Sequence, residues 1–161
     1  MARREVRAAV VKWLSEPQIT TLNQIFTSFP KRINFQVNSF PGQNSRAAGV
    51  VFISGETESR LTIGGAYDGW KRVDYTVDFQ IFHHSSAQPE EAMDDFDELI
   101  DAVKNQLRAG GHRLGLEDGS VIWQAAEPGI DINYSEPSNT NGTYTETWAS
   151  IRFTVTQMIR A

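Results

Sequence analysis

The cleanest pattern in the chain begins at Trp70. Val73, Tyr75, Val77, Phe79 and Ile81 occupy one phase of an alternation, and Asp74, Thr76, Asp78 and Gln80 occupy the other. A period of two predicts a strand buried on one face. A polar turn is expected at His84 to Gln88. Beyond it, Ala92, Met93, Phe96, Leu99, Ile100, Val103 and Leu107 recur at helical spacing, which predicts a helix over 89–109. Pro89 suits a first helical position, where no amide proton is needed. Glu90, Glu91, Asp94 and Asp95 crowd the helix start, Lys104 and Arg108 mark its end, and Gly110 and Gly111 can cap it; these charges complement the helix dipole at both ends.

Upstream, Val6, Ala9, Val10, Trp13 and Leu14 predict a first helix over 3–15, stopped by Pro17. Ile19, Leu22, Ile25, Phe26 and Phe29 form a mixed stretch that fits a short helical turn, followed by an extended segment over 33–37. Residues 38–48 combine Pro, Gly, Asn and Ser without periodicity and read as an exposed loop. Residues 50–54 and 59–63 read as a hairpin turning at Gly55 and Glu56. Further strands are expected at 121–125 and 130–134, and a last one carries Ala149, Ile151, Phe153, Val155 and Ile159 in alternation with polar residues. The segments 64–69 and 136–142 read as turns.

These elements define an α/β chain of the α+β kind: a mainly antiparallel sheet, two principal helices packed on one face, and a single domain over 1–161. Short connections between strands favour antiparallel pairing. An apolar share of 40%, with nine Phe, four Trp and four Tyr, is enough for a real core.

Charge adds an asymmetry. Residues 1–32 carry six bases and two acids, a balance of +4, whereas residues 56–120 carry six bases and fourteen acids, a balance of −8. A net charge of −5 argues against general nucleic-acid binding, which needs clustered cations to neutralise phosphates. Such separated charge suits either head-to-tail contact between copies or two unrelated solvated faces. There is no cysteine, hence no disulfide, thiolate metal site or cysteine nucleophile. No stretch resembles an export signal or a membrane span.

Candidate chemistry is sparse. His83 and His84 are neighbours at a strand end, point to opposite sides and cannot share one ion, so a surface pair is expected. Glu90, Glu91, Asp94, Asp95, Asp97, Glu98 and Asp101 have the spacing of a solvated helix face rather than a calcium loop, and Glu90, Glu91, Asp94 and Asp95 are read as an acidic surface. Gly64, Gly65 and Gly69 lack the following Lys-Ser or Lys-Thr of a phosphate loop. Neither a nucleophile elbow nor a triad is discernible. The expectation is a chain with no catalytic residues, no cofactor and no metal.

Four segments together carry a resemblance: GGAYDGWKRVDYTVDFQIFHHS, PEEAMDDFDELIDAVKNQLRAGG, VIWQAAEPGI and ETWASIRFTVTQMIRA. In order and texture the chain resembles the tail terminator, or tail-completion, proteins of long-tailed phages of actinobacteria, over about residues 3–160. The resemblance implies a structural virion protein of the neck, assembled in the host cytoplasm. It implies a homo-oligomer, a hexameric ring, on the head-proximal end of the tail tube. Such a ring ends tube polymerisation, meets the tail tube protein on one side and a head–tail connector or stopper on the other, and lets DNA pass through its channel without specific binding. On this reading the loops 38–48, 64–69 and 135–143 are candidate contacts between rings, through Phe40, Gln43, Arg46, Tyr67, Asp68, Asn139 and Asn141. The alternatives are another neck component, such as a head-completion or connector protein, and, from a different class, a small-ligand binding module with a concave apolar pocket.

Overall fold

The computed structural model describes residues 2–15, 19, 22–28, 30, 45–60, 69–108, 113–115, 121–124, 129–140 and 144–160. In chain order the elements are α1 (Ala2–Ser15), β1 (Leu22–Phe26), β2 (Ser45–Arg60), β3 (Trp70–Ser85), α2 (Pro89–Arg108), β4 (Arg113–Gly115), β5 (Val121–Gln124), β6 (Asp131–Tyr134), β7 (Ser138–Thr140) and β8 (Tyr144–Arg160). The three long strands β2, β3 and β8 form an antiparallel spine, in the sheet order β1-β2-β3-β8-β5-β4. The outer edge of β8 is taken in turn by β7 at 144–146, β6 at 149–152 and β5 at 155–157. Among the described strands only β1 runs parallel, beside β2.

Both helices lie on one face, as the periodicity predicts. Val73, Tyr75, Val77, Phe79 and Ile81 of β3 form one core with Ala149, Ile151, Phe153 and Val155 of β8. The same core takes in Val6, Val10, Trp13 and Leu14 of α1 and Phe96, Leu99, Ile100, Val103 and Leu107 of α2. Trp13 meets Phe153 edge-on at 6.0 Å, and Gln106 donates to the Trp13 carbonyl at 3.0 Å, which ties the two helix ends together. Each large side chain buried here contributes about 1.5–3 kcal/mol.

Four expectations are corrected. The hairpin expected over 50–63 is one continuous strand through its described residues 50–60, because β2 stays paired with β3 from Ser45↔Ser85 to Arg60↔Lys71; 61–63 lie outside the described residues. A bulge between Ile53 and Gly55 absorbs the polar Ser-Gly-Glu sequence and shifts the alternation by one, so that Val51 and Ile53 share a face with Glu56 and Glu58. Of the loop expected over 38–48, residues 45–48 are strand, with Ser45, Ala47 and Ala48 buried, and 38–44 lie outside the described residues. The mixed stretch after α1 holds strand β1 rather than a helical turn, since pairing with β2 satisfies a backbone whose local pattern is ambiguous. The polar segment 136–142 contains β7, which closes a tight pairing onto the start of β8. The extended segment expected at 33–37 lies outside the described residues. No helix among the described residues is long and apolar enough to cross a membrane.

Candidate functional site

The end of the spine where β2 starts, β3 ends and β8 starts gathers most of the noteworthy chemistry, and the two faces of the sheet differ there. On the helix face, β3 runs four residues beyond Ile81, so its alternation carries His83 inward. His83 is only 2% exposed and its ring lies 5.5 Å from that of Phe96. Neither ring nitrogen has a hydrogen-bond partner among the described residues. Burial pushes its pKa down from 6.5 to about 4, with Asp95 opposing the shift and His84 adding to it. The expected surface histidine pair is therefore corrected: His83 is a neutral core residue, and only His84 is on the other face, stacked on Tyr144 at 4.4 Å. His112 lies outside the described residues.

Beside His83, a short polar chain fastens α2 to the sheet. Ser45 Oγ donates to Asp95 Oδ2 at 2.5 Å, and Ser45 and Ser85 are linked at 2.8 Å through their hydroxyls. A hydroxyl has one proton. With that of Ser45 given to Asp95, Ser85 donates to Ser45 and accepts from the Ala87 amide at 3.2 Å. His83 bonds to neither serine and so forms no relay with them. Asp95 thus departs from the expected acidic surface and reaches inward, while Glu90, Glu91 and Asp94 are exposed as predicted.

On the opposite face, register places Arg46, His84 and Glu146 in one row across β2, β3 and β8, with Ser138 of β7 beyond. The neighbouring row holds Ala48, Phe82 and Trp148. Phe82, His84, Glu146 and Trp148, with Ser135, Glu136 and Ser138, line a cleft of about 250 Å³. Trp148 is 47% exposed there, and its backbone is held to Ser135 by paired hydrogen bonds of 2.9 Å. Tyr134 of β6, opposite Ala149 and therefore on the helix face, is also largely exposed and meets Phe96 edge-on at 6.0 Å. Burial lowers the pKa of His84, with Glu146 opposing the shift and Arg46 adding to it.

Further along this face, Asp78 is buried and accepts from Arg152 Nε at 3.0 Å, while Asp74 accepts from Arg72 and Thr156. These pairs satisfy carboxylates that the alternation turns away from the helices.

Of the proposed contact residues, Arg46 stands beside His84 and Asn139 lies in β7 opposite Thr145. Phe40, Gln43, Tyr67, Asp68 and Asn141 are outside the described residues. The sequence reading passed over Phe82, Glu136, Glu146 and Trp148. A signal was present for two of them: Phe82 and Trp148 are large aromatics in the polar phase of otherwise regular alternations. Among the described residues no group of three or more His, Asp or Glu side chains is placed to hold a metal ion.

No protein-family model matches the chain, and no curated protein matches it. A matching chain among solved structures is 16% identical, with 98% of this chain and 96% of that one covered, at a TM-score of 0.46. That likeness is too distant to support any argument about function.

Proposed function

We propose that the chain is a structural subunit that forms a ring at the head-proximal end of a phage tail tube, ends tube polymerisation and joins tail to head. The observation that carries this reading is the exposure of Trp148 and Tyr134 on strands bordering the same edge of the spine. Large aromatics left in solvent on rigid strands are characteristic anchors of protein contacts. The segments that carry the resemblance to tail terminators include β3, α2 and β8, which build that edge and the core beneath it. The contacts with tube and connector are assigned to the segments 38–48, 64–69 and 135–143. Exposed Glu90, Glu91 and Asp94 are assigned to the channel, where like charge repels DNA phosphates and keeps the DNA mobile.

Incubation of the chain with tail tubes from the cognate phage, followed by negative-stain microscopy, tests the reading. Rings of six copies at one tube end, and tubes that no longer elongate, are expected. Binding to the connector without any binding to tubes would instead assign the chain to another part of the neck.

A further inference from the structure

The cleft has the composition of a cation receptor. Phe82 and Trp148 are direct cross-strand partners, and Glu136 and Glu146 line the same space. Aromatic faces attract a guanidinium or ammonium group through their quadrupole, and carboxylates add charge-assisted hydrogen bonds.

The matching cations are on α1. Val6, Val10 and Leu14 are buried, which turns the i, i+4, i+8 stripe of Arg4, Ala8 and Lys12 outward, and all three are exposed. Arg3 is engaged by Glu56 at 2.8 Å, and Arg7 donates to the Thr27 carbonyl. Neither Arg4 nor Lys12 makes an ion pair among the described residues. The helix bears four bases and one acid, a balance of +3.

A chain cannot bring its own α1 to the cleft, because α1 packs on the helix face and Phe82, His84, Glu146 and Trp148 belong to the other face; the cation its own fold places nearby is Arg46, in the row beside His84. We infer that the cleft receives Arg4 or Lys12 of α1 from a second copy of this chain. The two surfaces are different, so the contact is heterologous and repeats from copy to copy, closing into a ring when the rotation allows. The inference rests on the ring reading and names the pair of surfaces that would build it.

The absence of native cysteine makes a direct test clean. Chains carrying Ala8→Cys and chains carrying Ser138→Cys are mixed under mild oxidation, both free and on tail tubes, with Asp97→Cys on the exposed side of α2 as the control site. A mixed Ala8–Ser138 disulfide is expected to exceed the Ala8–Asp97 product in at least one setting. Glu146→Lys in the Ser138→Cys chain should reduce it at least ~10-fold, and Arg4→Glu with Lys12→Glu in the Ala8→Cys chain should restore it. A yield no higher than the control in both settings, or one indifferent to Glu146→Lys, overturns the inference. Tube binding without the cross-link defeats this contact alone, whereas the cross-link without tube binding upholds the contact and defeats the tail-terminator reading.

Discussion

Asp95, in the second turn of α2, accepts a hydrogen bond from Ser45 at the first residue of β2, across a separation of fifty positions. Ser45 and Ser85 are both buried, and their polar chain ends on the half-buried carboxylate of Asp95. Asp95→Ala leaves the Ser45 hydroxyl without its acceptor and should destabilise the fold by about 1–3 kcal/mol in urea denaturation. Asp94→Ala, one position away and exposed, should stay within about 0.5 kcal/mol. In an Asp95→Ala background, Ser45→Ala should cost little, because the hydroxyl stranded by the first change is then gone. Equal effects of Asp94→Ala and Asp95→Ala would contradict this account of the α2 attachment.

His83 makes stability depend on pH. In the unfolded chain it binds a proton below its ordinary value of 6.5, but in the fold burial delays protonation to about 4. Between those values the unfolded state holds more protons, so stability rises with pH across the window. The full contribution is present above pH 6.5 and is lost progressively as pH falls towards 4, on the order of 3 kcal/mol in all. His84, less deeply placed and lowered for the same reason, adds to the slope with the same sign. Chemical denaturation from pH 4 to 7 should give a shallower dependence for His83→Leu than for the parent. An unchanged slope would mean that His83 titrates normally and is not enclosed as described.

What the sequence revealed and what it concealed have separate physical causes. The existence of β3 and the boundaries of α2 were legible because a period of two and a helical period each persist long enough to exclude the other, and the charges at the α2 ends agree with its dipole. The whole of β2 was not legible. Its pairing with β3 continues through Ser54 and Gly55, residues whose local preference is for a turn, and only the cross-strand partners decide the outcome. The burial of His83 was hidden in the same way. It follows from β3 continuing past Ile81, and the polar run at 83–88 gives no sign of that. The cleft was half legible: Phe82 and Trp148 break their alternations, but Glu136 reaches the same place only through the folding of β6 and β7 onto β8.

Gly49 is fixed by its neighbour Phe79. Ring carbons of Phe79 occupy the position a Cβ at residue 49 would take, and Phe79 is fully buried with no room to withdraw. Gly49→Ala should therefore cost about 1–3 kcal/mol through overpacking, although alanine is otherwise the better strand residue. The penalty should shrink in a Phe79→Leu background, where the ring edge is absent, giving a coupling measurable by a double-mutant cycle. Additive effects in that cycle would show that the ring does not lie over Gly49.

Gly55 gives the opposite result for the same substitution, and it discriminates between the continuous strand and a hairpin. It lies just past the bulge in β2, outside the positive-φ region, with nothing within 4 Å of where a Cβ would project. In that setting Gly55→Ala meets neither strain nor clash, and it restricts the unfolded chain. It should raise stability by about 0.4–1 kcal/mol. A glycine at a hairpin turn with left-handed backbone would instead be harmed by the change, because a Cβ is disfavoured there. Thermal melts of Gly55→Ala against the parent decide between the two. A lowered midpoint would place a turn at Gly55, break β2 in two, and remove the pairing that sets Glu56 opposite Tyr75 and beneath Arg3.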